Sequence, residues 1–436
     1  MLFSPVPLQK PRRMKKPSTR IGSTNTRPRP KVVLYSHDTM GIGHMRRNLL
    51  IAQSLKHGPH HASVLMVAGA PEACAMTATS GIDCLALPAL SKSQNGQYSA
   101  RHQSMSYRSM LKFRSRTIRA AVQEFAPDVM IVDKVPRGVG GELTETLSAL
   151  RRTSRTQVVL GLRDVLDDRT TVQREWSEAD GDTAVRDFYD AVWVYGDHTV
   201  YDTMLESEFE TDVVLKSCFT GYLDQRWRLR FHRPQPMPAS NGLSIETADR
   251  LIVVAVGGGQ DGVALSRAFC QSQLPKGSQG VLLTGPCMPE EDRNELRILA
   301  NRNGEVKVIE QLVEADVLIE AADRVIAMGG YNTVCSILSF GKPALIVPRV
   351  HPRREQLIRA QRMADIGLID YLHPDGLSPE ALTIWMQADI SRLTRQKQSV
   401  DLNGLERINK LFGDLIDRPV CSSSSFVPKE KLPHVL

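Results

Sequence analysis

Three glycine-rich turns carry the residue types from which a chemical site could be built. They are Gly41-Ile42-Gly43-His44, Gly257-Gly258-Gly259-Gln260 and Gly329-Gly330-Tyr331-Asn332-Thr333, each between a short apolar run and a stretch with helical spacing. A strand that turns on glycine into a helix presents unpaired backbone N–H groups and the positive end of a helix dipole, which suits phosphate. His44 adds a proton acceptor, because a helix N-terminus lowers an imidazole pKa and favours the neutral form. A helix cap or a phosphate contact are its other readings, and Asp38 is the second candidate base. Asp133-Lys134 and Arg163-Asp164 each fall just after an apolar run. There they either line the acceptor side of a cleft or brace its loops as an ion-pair network.

The elements that must hold these residues alternate along the chain. Buried strands are expected at 31–36, 62–67, 82–87, 128–132, 157–162, 191–195 and 213–216, with helices between most of them. After the proline-rich stretch from Phe231 to Pro238 the pattern restarts, with strands at 251–256, 281–284, 306–309, 324–328 and 344–347. Near-continuous apolar strands alternating with helices predict parallel sheets covered on both faces. The fold class is therefore α/β: two tandem Rossmann-like, doubly wound parallel-sheet domains with an interdomain cleft. The expected parts are a basic Pro-rich tail (1–30), an acceptor domain (31–222), a linker (223–250) and a donor domain (251–401). A C-terminal amphipathic helix (402–418) and a tail (419–436) complete the chain. In such sheets ligands sit at the carboxyl ends of the strands, so facing domains would share one cleft.

At 436 residues, with 42% hydrophobic and 24% charged residues, the composition is that of a globular chain with room for two cores. No apolar run is long enough to span a membrane. The seven cysteines include no C-x-x-C pair, which argues against a disulfide framework or a structural zinc site. The net charge of +7 comes from residues 1–30, which hold eight lysines and arginines and no acid; subtracting them leaves −1 for the rest.

Together, the three turns resemble those of GT-B glycosyltransferases, and within them the MurG-like branch of family 28. Gly41 to His44 resembles the N-terminal loop, and Gly257 to Gln260 the turn that opens the donor domain. The stretch from Gly330 through Gly341-Lys342-Pro343 to His351-Pro352-Arg353-Arg354-Glu355-Gln356 resembles the nucleotide-sugar block. The resemblance implies an inverting, metal-independent transferase. It would move sugar from a nucleotide diphosphate donor, UDP-linked by preference, to a glycan or lipid-linked acceptor. It implies no cofactor beyond that co-substrate. Donor contacts are then expected from Gly257, Gly258, Gly259, Gln260, Gly329, Gly330, Asn332, Thr333, Ser336, Arg353 and Gln356. His44 and Asp38 are the catalytic candidates, and Gly43, Asp133, Lys134, Arg163 and Asp164 the acceptor side. One departure stands out. Relatives of this type carry a ribose-binding glutamate where this chain has Ser336, and a serine lacks a charge-assisted hydrogen bond of roughly 1.5–3 kcal/mol.

Between Ser91 and Arg119 lie Lys92, Arg101, Arg108, Lys112, Arg114, Arg116 and Arg119 with no acid. This segment suggests either a solvated helix face or peripheral contact with a membrane's inner face, in a cytoplasmic protein. Nucleic acid is not expected, because aromatic interleaving is thin. A dinucleotide oxidoreductase is disfavoured too, since the strand ending Leu283-Thr284-Gly285-Pro286 lacks a ribose-binding acid. An epimerase or hydrolase of the same fold, or a non-catalytic nucleotide- or glycan-binding relative, are the alternatives to a transferase.

Overall fold

The structure is a computed structural model. It describes residues 28–37, 43–70, 72–78, 80–92, 98–100, 105–153, 155–231, 250–310, 314–389 and 399–417. Asp38, Gly41, Ile42 and nearly all of both expected tails lie outside the described residues.

The first domain holds β1 (Lys31–Ser36), β2 (Ser63–Ala68), β3 (Asp83–Ala86), the antiparallel pair β4 (Leu90–Lys92) and β5 (Tyr98–Ala100), β6 (Val129–Asp133), β7 (Gln157–Arg163), β8 (Ala191–Tyr195) and β9 (Ser217–Phe219). Seven of them form one parallel sheet in the order β3-β2-β1-β6-β7-β8-β9. Val32 to Tyr35 are completely buried, as expected of a central strand covered on both faces. The second domain holds β10 (Arg250–Ala255), β11 (Ser278–Leu283), β12 (Val306–Ile309), β13 (Arg324–Ala327), β14 (Ala344–Ile346) and β15 (Asp370–Tyr371), in the order β12-β11-β10-β13-β14-β15. In both sheets the order reverses beside the first strand. The crevice outside the strand ends is therefore where each domain presents its glycine turn.

One expected strand is not formed. Residues Thr211–Lys216 are a short helix, and the sheet's last strand follows it at Ser217–Phe219. The run Val213-Val214-Leu215 reads as a strand by composition, but only Val213 is buried. The Lys216 ammonium fastens the turn by donating to the carbonyls of Val185, Arg186 and Tyr189. The two-residue edge strand β15 was not anticipated, being too short to leave a periodic signal.

The domains are firmly joined. One apolar cluster runs from Val32 and Leu34 through Trp193, Tyr222 and Leu223 to Val253, Val325 and Tyr331. The helix Gly404–Ile416 contributes Leu405, Ile408, Phe412 and Leu415 to it and packs on the first domain, where Asn409 donates to Ser54 at 2.6 Å. The Arg359 guanidinium crosses the interface to grip Asp164 through two of its nitrogens, at 2.8 and 2.7 Å, with neither side chain more than 1% exposed.

Candidate functional site

A cavity of about 580 Å³ lies between the domains, at the carboxyl ends of β7, β10, β11 and β13. All three glycine turns reach it. On the second-domain side, Gly257 has φ +68° and Gly259 φ +93°. A Cβ at Gly259 would fall 2.1 Å from the Thr284 carbonyl oxygen, so the position admits only glycine. Its N–H closes the turn on Val256 at 3.4 Å, which leaves the amides of Gly257 and Gly258 to face a ligand. Space beyond both residues is open, since a Cβ on either would touch nothing.

The other glycine turn of this domain leads into the helix Tyr331–Ser339, whose start is a candidate anion site. No side chain caps it, so the first-turn amides of Tyr331, Asn332 and Thr333 are unpaired within the helix. Gly329 turns the chain there with φ +83°, and its carbonyl accepts from Arg359 at 3.0 Å. Gly329 thus sets the turn from behind, while Gly330 lines the cavity. Gln356 lines it too, its Oε1 accepting from the Arg349 N–H at 3.0 Å, with its own N–H groups left as donors.

From the opposite side comes His44, the second residue of the helix Gly43–His57 and on the cavity wall. Its Nδ1 lies 2.5 Å from Asp133 Oδ2. A carboxylate only accepts, so this contact puts the proton on Nδ1 and leaves Nε2 as the basic nitrogen. Arg47 Nη2 is 3.0 Å from the same Nδ1, but its proton goes to Asp133 Oδ1. Burial pulls the His44 pKa down to about 4, with Asp133 opposing and Arg47 and Arg163 reinforcing. Burial also works against ionising Asp133, yet Arg47 and His44 prevail and hold that carboxyl well below the usual range.

The other expected site residues are distributed unevenly. Gly43, Gln260, Thr333, Ser336 and Arg163 line the cavity. Asn332 lines it as well, but its Nδ2 donates across to the Gly43 carbonyl at 2.9 Å and ties the two sides together. Arg163 is a half-buried cation, its pKa lowered first by desolvation, and its Nε has no hydrogen-bond partner among the described residues. Asp133 stands behind His44 rather than on the wall. Lys134 sits behind the wall at φ +64°, its pKa pulled to about 8 by burial and then by Arg163. Asp164 is taken by Arg359 and by the Tyr222 hydroxyl at 3.1 Å. Arg353, expected at the donor, instead pairs with Asp167 at 2.9 Å and with Glu175. Asp167 is 2% exposed and also accepts from the Arg354 N–H.

Ser336 has a definite partner: its hydroxyl donates to Asp316 Oδ1 at 2.6 Å in a buried contact. Sequence reasoning missed Asp316, Glu314 and Arg47. Arg47 had a signal, since i and i+3 on a helix share a face and place it beside His44. Asp316 had none, because its partner is twenty residues away on another helix.

Residues 252–405 match the glycosyltransferase family 28 C-terminal domain. The matched stretch begins in β10 and takes in both glycine turns of the second domain. A curated relative from Glaesserella parasuis, a UDP-N-acetylglucosamine--N-acetylmuramyl-(pentapeptide) pyrophosphoryl-undecaprenol N-acetylglucosamine transferase, is 36% identical over 78 residues, 17% of this chain. The match spans only 22% of that relative's length. Among solved structures, MurG of Acinetobacter baumannii superposes with a TM-score of 0.55 at 15% identity, covering 88% of this chain and 99% of that one. The UDP-GlcNAc 2-epimerase of Neisseria meningitidis bound to UDP-GlcNAc gives 0.59 at 12% identity, covering 88% and 98%. At such identities the likeness is one of fold, and the fold is GT-B. Among the described residues no helix is long and apolar enough to cross a membrane.

Proposed function

We propose that the protein is an inverting glycosyltransferase that takes a sugar from a nucleoside diphosphate donor, UDP-linked by preference. The observation that carries this reading is the approach of two sites from different domains. His44 adjoins Gly43, and Gly43 is hydrogen-bonded to Asn332 in the uncapped first turn of the helix Tyr331–Ser339. A base and an anion site are thus neighbours across one cavity.

The reaction follows from that arrangement. An acceptor hydroxyl attacks the anomeric carbon as the bond from that carbon to the diphosphate oxygen breaks. Its proton passes to His44 Nε2, and the Asp133 carboxylate stabilises the imidazolium that forms. The leaving diphosphate gathers charge as it departs. The amides of Gly257, Gly258 and the helix start meet it as preorganised donors.

The acceptor class rests on the curated relatives, whose names describe a lipid-linked substrate, and on the helix Tyr107–Phe125. Arg108, Lys112 and Arg116 are exposed there beside Phe113, a face suited to peripheral contact with anionic lipid. Arg114 is not part of that face, being buried and paired with Glu142 at 2.6 Å. The test is a nucleotide-sugar screen read by nucleoside diphosphate release, with and without acceptor extracts. Release that needs an acceptor and is lost in His44→Ala, with donor binding retained, supports transfer. Equal release without acceptor would make the protein a hydrolase, conversion of the nucleotide-sugar without release would make it an epimerase, and no binding of any nucleoside diphosphate would end the donor reading.

A further inference from the structure

The anion-binding turns account for a diphosphate, but one wall of the same cavity remains unexplained by them. Asp316 opens the helix Asp316–Ala321 on that wall and is 3% exposed. Ser336 donates to its Oδ1 at 2.6 Å. Its Oδ2 has no hydrogen-bond donor among the described residues. The guanidiniums of Arg228 and Arg46 stand off from Oδ2 at 3.6 and 3.9 Å, beyond hydrogen-bond reach. Arg46 is spent instead on Glu314, at 2.5 Å. A buried carboxylate oxygen left without a donor is costly, and a ligand that brings the donor removes that penalty.

The position of this oxygen limits the ligand. Ser336 lies five residues along its helix from Tyr331, so the Asp316 carboxylate is displaced along the axis by about 7–8 Å from the diphosphate end. The group that follows the phosphates of a nucleotide in that direction is its sugar. A carboxylate matches the hydroxyls of a ribose because it offers only acceptors, the same logic by which an acid holds the ribose in dinucleotide sites.

We propose that Asp316, clamped by Ser336, accepts the ribose hydroxyls of the donor nucleotide, so that the site selects ribonucleoside over 2′-deoxyribonucleoside diphosphates. This rests on the donor reading above and assigns its ribose contact. Arg46 from the first domain and Arg228 on the helix Arg226–Phe231 supply countercharge without occupying the free oxygen. A purely structural carboxylate, bracing those two arginines, would make no such distinction between sugars.

The experiment measures calorimetric affinity of the full chain for UDP, ADP, GDP and CDP, then for the 2′-deoxy counterpart of the tightest. Wild type is expected to favour the ribose form about tenfold or more. Asp316→Asn should erase most of that preference while affinity for the deoxy form holds. Ser336→Ala, which keeps the charge but releases the clamp, should reduce the preference to an intermediate value, and it serves alone if Asp316→Asn does not fold. A preference unchanged in the folded variants, or both affinities falling in parallel, overturns the assignment and leaves the donor site standing. Failure of wild type to bind any of the four overturns both.

Discussion

His44 and Asp133 meet at 2.5 Å across the gap between the Gly43–His57 helix and the end of β6, with Asp133 1% exposed and Arg47 on its other oxygen. The carboxylate has two jobs in this triad. It fixes the imidazole's tautomer and orientation, and it neutralises a buried arginine. The histidine meanwhile keeps its second nitrogen for the cavity.

Asp133→Asn should therefore lower kcat by about 10²- to 10⁴-fold, since an amide leaves the tautomer unspecified and cannot stabilise the imidazolium. The affinity for nucleoside diphosphate should change little, because its anion sites are on the other domain. Calorimetry beside steady-state kinetics separates the two. Parallel loss of binding would mean that Asp133 only props up the fold.

The pH profile gives an independent check on the histidine. His44 acts while neutral, and burial lowers its pKa to about 4, so kcat/KM should hold steady down to pH 5 and fall only near 4. Stability follows with a definite sign. Below pH 6.5 the unfolded chain binds a proton at this histidine that the native state refuses, and buried His37 shifts in the same direction. Stability should thus rise with pH between about 4 and 6.5. Urea midpoints at pH 4.5, 5.5 and 7 would show it, and His44→Gln should flatten part of that slope.

What the sequence could disclose follows from the range of the forces involved. A strand that turns on glycines into a helix is written in consecutive residues, so the turns at Gly257 to Gly259 and Gly329-Gly330 were legible. The sheets were legible because both-face burial leaves unbroken apolar runs. Contacts between distant residues leave no local pattern, whether they close the cleft, as with Asp164 and Arg359 or Asp167 and Arg353, or lie within the second domain, as with Ser336 and Asp316. Arg353 was assigned to the donor on resemblance, yet an acid on the opposite domain holds it. Val213 to Lys216 misled for another reason: β-branched composition outweighed the burial of a single face.

Ser336→Glu is the substitution the family resemblance would suggest for tightening a nucleotide. The geometry predicts the reverse. Asp316 lies where the longer side chain must go, 2.6 Å beyond the serine hydroxyl. Burial already pushes the Asp316 carboxyl up, with Glu314 adding to it, so a third carboxylate would meet two others in a dry site. Stability should drop by about 2 kcal/mol or more, and nucleoside diphosphate should bind more weakly. Thermal melting and calorimetry on one preparation measure both. Tighter binding with an unchanged melting point would show that the pocket has room for the glutamate.

Arg359 links stability to the donor turn. It grips Asp164 through two nitrogens and spends the third on the Gly329 carbonyl at 3.0 Å. Arg359→Ala strands a buried carboxylate, whose penalty of about 3–5 kcal/mol should lower the melting temperature of a chain this long by about 3–6 °C. It also frees the carbonyl that sets the start of the helix Tyr331–Ser339, so KM for the donor should rise. The two effects can be separated. Replacing both partners by apolar residues, as in Arg359→Met with Asp164→Leu, removes the stranded charge, and such swaps are often neutral or stabilising. That double variant should melt close to wild type, yet it still lacks the donor to Gly329. A raised donor KM in this stable variant would establish that Arg359 positions the anion site. A normal KM would reduce Arg359 to a tie between the domains.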